Sequence, residues 1–311
     1  MRVDRQERMP SPAMNGYDGP DLPRPARDTK PMSDPLAAPI TSSHNPRFRA
    51  ALALREGRDR RREGKILIDG EREIERALHA GTHPVEAFID PDRLGESWLA
   101  ALAGRLQRDG IELIAVSPRL LGRLSYGDRQ TGVVVVAETP VRSLEDLSVP
   151  AEPLIGVIEG LEKPGNLGAV LRTADSAGLD ALLVADGGTD LFNPNVIRAS
   201  LGTVFTVPVA VATAEAVLAW LRERGIRMVA AKVDAECDHT DADLTGALAI
   251  ALGSEADGLS AAWSGSDVTG VRIPMLGIAD SLNVSATAAV LFYEALRQRR
   301  AVMRPGRRGR T

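Results

Sequence analysis

Short runs of wholly apolar residues alternate along this chain with stretches whose apolar positions recur every three or four residues. The first pattern predicts buried strands and the second amphipathic helices. From residue 41 the alternation predicts a basic helix over 47–64, a strand at 65–68, a helix at 71–80 and a strand at 85–89. Next come a helix at 98–108, a strand at 111–116, a short helix at 118–124 and a strand at 132–137; the last reads GVVVVA and is apolar on both faces. Pro140, Pro150 and Pro153 mark 139–153 as a linker. The second half opens with a strand at 154–158 and a helix at 167–177, whose stripe is Leu167, Val170, Leu171 and Ala174. Then come a strand at 181–184, a helix at 194–200, a strand at 204–207, a helix at 214–224, strands at 227–231, 248–252 and 268–273, and a long helix from 284. The pattern predicts two α/β units, at 41–140 and 150–302. Residues 1–40 hold eight prolines and no apolar period, which predicts a disordered tail, and 303–311 read as a basic tail.

With 311 residues, 44% of them hydrophobic, the chain can bury two cores. Cys237 is the one cysteine, so no internal disulfide forms, which suits a reducing cytoplasm. No apolar run approaches the roughly 18 residues that span a bilayer, and the polar N-terminus lacks the apolar stretch of a secretory signal. The expectation is a soluble cytoplasmic protein with no membrane partner.

Charge changes the picture. The formal net charge is −4, but residues 141–296 carry 21 acidic and 9 basic residues. Residues 47–65 carry 8 basic against 3 acidic, and 297–311 carry 7 arginines and no acid. Positive edges on an acidic body suit a polyanionic partner. Solubility, with a coding bias of 34 Arg to 4 Lys, is the plainer alternative. Arg58, Arg61, Arg62 and Arg198 are the candidate contacts to such a partner.

Three segments are polar at expected strand ends, where parallel sheets bind ligands: EGLEKPGNLGAVLR at 159–172, LGSEADGL at 252–259 and IPMLGIADSLNVS at 273–285. Taken singly, each is open to a structural reading: Asn166 and Asn283 as helix caps, Gly253 and Gly258 as turn residues, Arg172 as a solvated surface charge. No Walker loop, metal-ligand spacing or Ser–His–Asp order is present. A dinucleotide-binding enzyme would need a glycine-rich turn after its first strand, and that turn is missing.

Together the three segments resemble the motifs of the SpoU (TrmH) family of RNA 2′-O-ribose methyltransferases, within the SPOUT superfamily. Asn166-x-Gly168-x-x-x-Arg172 resembles the first motif, Gly253-Ser254-Glu255 with Gly258-Leu259 the second, and Ile273-Pro274-Met275 with Ser281-Leu282-Asn283-Val284-Ser285 the third. Asn193-Pro194 and the stretch from Arg198 to Pro208 add to the likeness, which covers roughly residues 154–302. Glu159 and Ala256 depart from the commoner Asp and Gly. The first half looks like the L30e-like substrate-binding domain that precedes this catalytic domain, on its layout and on Arg129-Gln130-x-Gly132 before a valine run.

The resemblance implies a parallel sheet with a deep C-terminal trefoil knot, S-adenosylmethionine (AdoMet) as methyl donor, no metal, and a homodimer through the knotted domain. It implies cofactor contacts from Gly253, Ser254, Ile273, Met275 and Leu282, with Leu276 and Ile278 completing an apolar adenine slot. It also implies catalytic roles for Asn166, Arg172, Glu255, Ser281 and Asn283. Arg172 would be the base or an orienting group; arginine normally stays protonated, with a pKa above about 12. The expected substrate is large-subunit (23S) ribosomal RNA, the alternatives being tRNA or a non-catalytic RNA-binding role.

Overall fold

The computed structural model describes residues 36–127 and 131–303. The tail expected at 1–40 lies outside these residues as far as position 35, as do Arg129, Gln130 and residues 304–311. Ile40 already belongs to the first domain: its N–H donates to Ala115 O at 2.8 Å and its carbonyl accepts from Ser117 N at 3.0 Å.

The first domain runs α1 (Pro46–Ala53), α2 (Gly57–Glu63), β1 (Lys65–Asp69), α3 (Glu71–His79), β2 (Pro84–Ile89), α4 (Ser97–Arg108), β3 (Glu112–Ala115), α5 (Pro118–Leu124) and β4 (Val133–Glu138). Its sheet has the order β1-β4-β2-β3, with β4 antiparallel to both neighbours and β2 parallel to β3. The valine run of β4 is buried on both faces because helices cover both sides of the sheet. The single basic helix expected over 47–64 is two helices. Glu56 is extended (φ −91°, ψ 129°), and the buried Arg60 guanidinium turns back to donate to Leu54 O at 2.8 Å and Arg55 O at 2.7 Å. It thereby satisfies carbonyls that the end of α1 leaves open.

The second domain runs β5 (Leu154–Glu159), α6 (Pro164–Ala177), β6 (Ala181–Ala185), α7 (Pro194–Ala199), α8 (Thr203–Thr206), β7 (Val209–Ala212), α9 (Ala214–Glu223), β8 (Arg227–Ala231), β9 (Cys237–Asp238), β10 (Leu248–Leu252), β11 (Val268–Arg272) and α10 (Val284–Met303). Its seven strands are all parallel, in the order β7-β6-β5-β10-β8-β11-β9. β10 is buried at every position and inserts between β5 and β8, and α10 packs on α6 and β10. Pro164 starts α6, and Gly178, left-handed at φ +71°, ends it.

The strand expected at 204–207 is corrected. Those residues lie in and just after the helical turn α8, and the strand is β7, past Pro208. Leu201 (φ +55°) and Gly202 (φ +81°) reverse the chain, and Ser200 O accepts from both Thr203 N and Thr203 Oγ1. The ladder starts where Pro208 O accepts from Leu182 N at 2.9 Å, since proline can offer only its carbonyl there.

The linker and the C-terminal arginines are also tied in. The 139–153 segment packs on the second domain through buried Leu144 and the bond from Val211 N to Arg142 O at 3.2 Å. Arg297 and Arg299 of the basic C-terminal edge are engaged inside the chain. Arg297 pairs with Glu294, and Arg299 donates to the carbonyls of Glu152, Pro153 and Gly246. Among the described residues no helix is long and apolar enough to cross a membrane.

Packing and charge each set a stability outcome. A Cβ on Gly156 of β5 would stand 2.8 Å from both Leu182 Cδ1 and Phe292 Cζ. Gly156→Val should therefore cost about 1–3 kcal/mol, read as a lower urea midpoint at unchanged m-value. The second outcome concerns Glu294. Arg297, with Gln298 beside it, holds this carboxyl down at about 2 from the ordinary 4.5. A depressed folded-state pKa stabilises above pH about 4.5, and the benefit fades as pH falls toward about 2. Thermal melts of Glu294→Gln should show a flatter acid limb in that window than those of the parent chain.

Candidate active site

Because the seven strands are parallel, the loops leaving their carboxyl ends gather on one edge. They are 160–163 after β5, 186–193 after β6, 232–236 after β8, 253–259 after β10 and 273–283 after β11. Strand order reverses around β5, and such switch points open crevices beyond the strand ends. A cavity of about 930 Å³ lies beyond β8, β10 and β11. Gly253, Ser254, Ile273, Met275 and Leu282 all line it, together with Glu255 and Ser281. Leu276 and Ile278 do not: both are fully exposed, which corrects the apolar slot expected of them.

The 253–259 loop is drawn tight. Ser254 and Gly258 exchange backbone N–H···O bonds of 3.1 Å each, and Ser254 Oγ accepts from Asp257 N at 3.0 Å. A Cβ on Gly253 would collide with the backbone of Gly258 and Leu259, so only glycine fits there. Glu159, 4% exposed, braces the 260–263 segment: its carboxylate accepts from Ser260 N at 2.6 Å, Ser260 Oγ at 2.8 Å and Trp263 Nε1 at 3.1 Å. The departure from aspartate at 159 thus falls on a structural strut, with Trp263 fully buried beside it.

All three polar segments meet at Glu255, whose side chain is 25% exposed. Its Oε1 accepts from Asn166 Nδ2 and from Asn283 Nδ2, each at 2.5 Å, and its Oε2 accepts from Lys163 Nζ at 3.1 Å. Asn283 Oδ1 in turn accepts from Ser285 N at 2.9 Å and Ser285 Oγ at 2.6 Å at the start of α10. The cap reading of Asn166 is corrected: α6 starts at Pro164 with Lys163 at its N-cap, ahead of the start expected at 167, so Asn166 lies inside the first turn. Lys163 was missed in the sequence; its one signal was a lone cation between a strand end and a helix start.

Arg172 stands apart. Six residues carry it about 120° around α6 from Asn166 and about 9 Å further along. It is exposed and has no ion pair or hydrogen bond among the described residues, and it does not line the cavity. Arg58 and Arg61 are exposed on α2 without ion partners among the described residues. Arg62 is engaged with Asp59 at 2.7 Å and Glu63 at 2.9 Å. Arg198 turns inward to the domain seam: its Nη1 donates to Tyr126 O at 3.1 Å, and its guanidinium lies over the Tyr126 ring at 5.9 Å. Among the described residues no cluster of His, Cys, Asp and Glu could hold a metal ion.

The cavity's size lies in the range of small-molecule sites, and its wall fits an adenosine-bearing ligand. The backbone loops offer amide groups, Ile273, Met275 and Leu282 offer apolar contact, and Gly253 permits close approach.

Comparison with known proteins agrees with this geometry. The SpoU rRNA methylase family matches residues 153–293, and an MRM3-like substrate-binding domain matches 45–135. The 23S rRNA (uridine(2479)-2′-O)-methyltransferase of Streptomyces viridochromogenes is 35% identical over 274 residues, covering 85% of this chain and 94% of that protein. The crystal structure of the SpoU methyltransferase AviRb from the same organism, in complex with AdoMet, superposes with a TM-score of 0.75 at 32% identity, covering 82% of this chain and 98% of that one. An RNA 2′-O ribose methyltransferase structure matches at 44% identity and TM-score 0.73, covering 84% and 99%. With a strand-end cavity, a carboxylate junction joining three loops and these relatives, the chain belongs to the SpoU rRNA methylase family.

Proposed function

We propose that this chain transfers the methyl group of AdoMet to a ribose 2′-oxygen of structured RNA in the cytoplasm, with 23S ribosomal RNA as the substrate. The observation that carries this is the Glu255 junction. It ties the 159–172 segment to the two loops that line a cavity of cofactor size, 253–259 and 273–283, and solved relatives of this fold hold AdoMet. Relatives named as 23S rRNA 2′-O-methyltransferases favour ribosomal RNA over tRNA. A purely RNA-binding role would not require this cavity.

AdoMet supplies a methyl group already activated by its sulfonium charge. The chain's task is to place the acceptor oxygen in line and to assist departure of its proton. Gly253, Ser254, Ile273, Met275 and Leu282 bind the cofactor, and the 253–283 segments that carry them form the family's trefoil knot. Glu255 holds rather than reacts: its oxygens are committed to three donors, so it fixes Asn166 and Asn283 and, through the 253–259 loop, the cavity wall. Ser281 faces the cavity within reach of an incoming ribose. Arg172, exposed and unpaired among the described residues, is free to orient the 2′-hydroxyl and the adjacent phosphate. Its exposure away from the cavity leaves room for a homodimeric site in which a second copy completes the RNA cleft. Arg58 and Arg61, with Arg62 beside them, supply attraction that the acidic second domain cannot.

Arg172→Ala should lower methylation of 23S rRNA about 100-fold or more while the AdoMet Kd from calorimetry stays within about twofold, because the interaction is made in the transition state. Glu255→Ala should instead weaken AdoMet as well, since it frees three donors and loosens the loop. Near-normal turnover of Arg172→Ala would remove that residue from the mechanism. Reversing Arg58, Arg61 and Arg62 to Glu should weaken RNA binding in filter assays and make log Kd about 2 units shallower per decade of salt, with AdoMet binding intact. An unchanged salt slope would place RNA elsewhere.

A further inference from the structure

The seam between the two domains is built from arginines that reach across it. Arg76 Nη1 donates to Leu201 O at 2.6 Å, and Arg198 bonds to Tyr126 O from the opposite side. The backbones approach closely here: a Cβ on Gly202 would stand 3.0 Å from Glu73 Cα. One contact differs in kind. Arg60 of α2, its side chain 4% exposed, donates through Nε at 2.7 Å and Nη2 at 2.5 Å to Asp190 Oδ2. Its remaining nitrogen, Nη1, holds the carbonyls of Leu54 and Arg55.

Both ends of this pair lead to working parts. On one side, Arg60 belongs to the same seven-residue helix as Arg58, Arg61 and Arg62, and its exposed neighbours flank it in sequence. On the other, Asp190 lies in the loop after β6. Asp190 Oδ1 accepts from Phe192 N at 3.0 Å, and Thr189 Oγ1 donates to Glu162 O at 2.5 Å. Glu162 precedes Lys163, which holds Glu255 Oε2. Chain neighbours and hydrogen bonds thus link the basic helix to the Glu255 junction, the last step being the ion pair of the largely exposed Lys163. A buried charge pair is a costly way to hold two surfaces together, because desolvation offsets much of its attraction; what it provides is one fixed geometry.

We propose that Arg60 and Asp190 are positioning residues for methyl transfer: their buried ion pair sets α2 in register with the 186–193 loop, and so decides which ribose of a bound RNA reaches the cavity. This rests on the reading that α2 binds RNA. Attraction belongs to Arg58 and Arg61, whereas register belongs to Arg60, so the two roles separate in measurement. Loss of register lowers the rate at saturating RNA and spreads methylation to other riboses, and it leaves affinity nearly unchanged. A merely structural clamp would show none of that pattern.

The test uses the full chain with 23S rRNA from cells lacking this gene. The double variant Arg60→Met/Asp190→Leu removes both charges together, and Asp190→Asn keeps the shape with the charge gone. For both, the AdoMet Kd should stay within about twofold and the RNA Kd within about threefold. The single-turnover rate at saturating RNA should fall about tenfold or more, and mapping of 2′-O-methyl positions should show reduced occupancy of the main site with new minor sites. Arg60→Lys, which keeps the charge but loses the fork, should fall between the variants and the parent. Parent-like rate and site choice in folded variants would overturn the proposal. So would failure of both variants to fold, or equal loss of RNA and AdoMet binding, either of which marks the pair as a structural clamp. If Arg58→Glu/Arg61→Glu leaves the RNA Kd unchanged, it is the reading of α2 as an RNA contact that fails, whatever the Arg60 variants do.

Discussion

The Glu255 carboxylate is the point on which the site depends. It sits on the loop after the central strand β10, and it draws in donors from two other segments, 89 and 28 residues away in sequence. Two side-chain amides on one oxygen and an ammonium on the other leave it little freedom. A carboxylate in water gains little from any one such bond, but here each bond fixes a loop at the cavity edge. The strut below it has the same design. Glu159, at the end of β5, accepts three bonds from the 260–263 segment and orders the chain just past the cofactor loop. Two carboxylates at the ends of adjacent strands thus convert loose strand-end loops into walls.

Rigidity at these walls contrasts with the freedom of Arg172. The Asn166–Glu255–Asn283 set is held by two short hydrogen bonds on one carboxylate oxygen. Arg172 projects from a different side of α6 and makes no polar contact among the described residues. The contrast between the bonded Glu255 junction and the exposed Arg172 is the main feature of the site.

Charge is distributed by the same logic. The second domain is acidic overall, and several of the arginines that might have offset this are used internally: Arg299 on three carbonyls, Arg297 on Glu294, Arg198 against Tyr126. Among the described residues, Arg58 and Arg61 are exposed and have no ion partner. Counting arginines by position therefore overstates the positive surface, since a guanidinium with five donors is as useful for holding carbonyls as for holding phosphates.

The local elements were largely legible in the sequence because their cause is local. Runs such as LAIAL at β10 and the stripe of α6 can bury themselves in only one way, though α6 begins at Pro164, three residues before the expected start. The polar strand ends were legible too, since polar residues interrupt the apolar period where a ligand edge must be. What misled was the VFTVPVAVA run, whose β-rich composition hid a helical turn imposed by the reversal at Leu201 and Gly202. The break between α1 and α2 depended on Arg60 folding back, and Leu276 and Ile278 point to solvent although they are apolar. Sequence spacing could bring Asn166, Glu255 and Asn283 to the same edge of a sheet, but only the tertiary structure could make them share one oxygen, set Arg172 apart from them and join Arg60 to Asp190. These are long-range encounters decided by strand order and domain docking, and no local period encodes them.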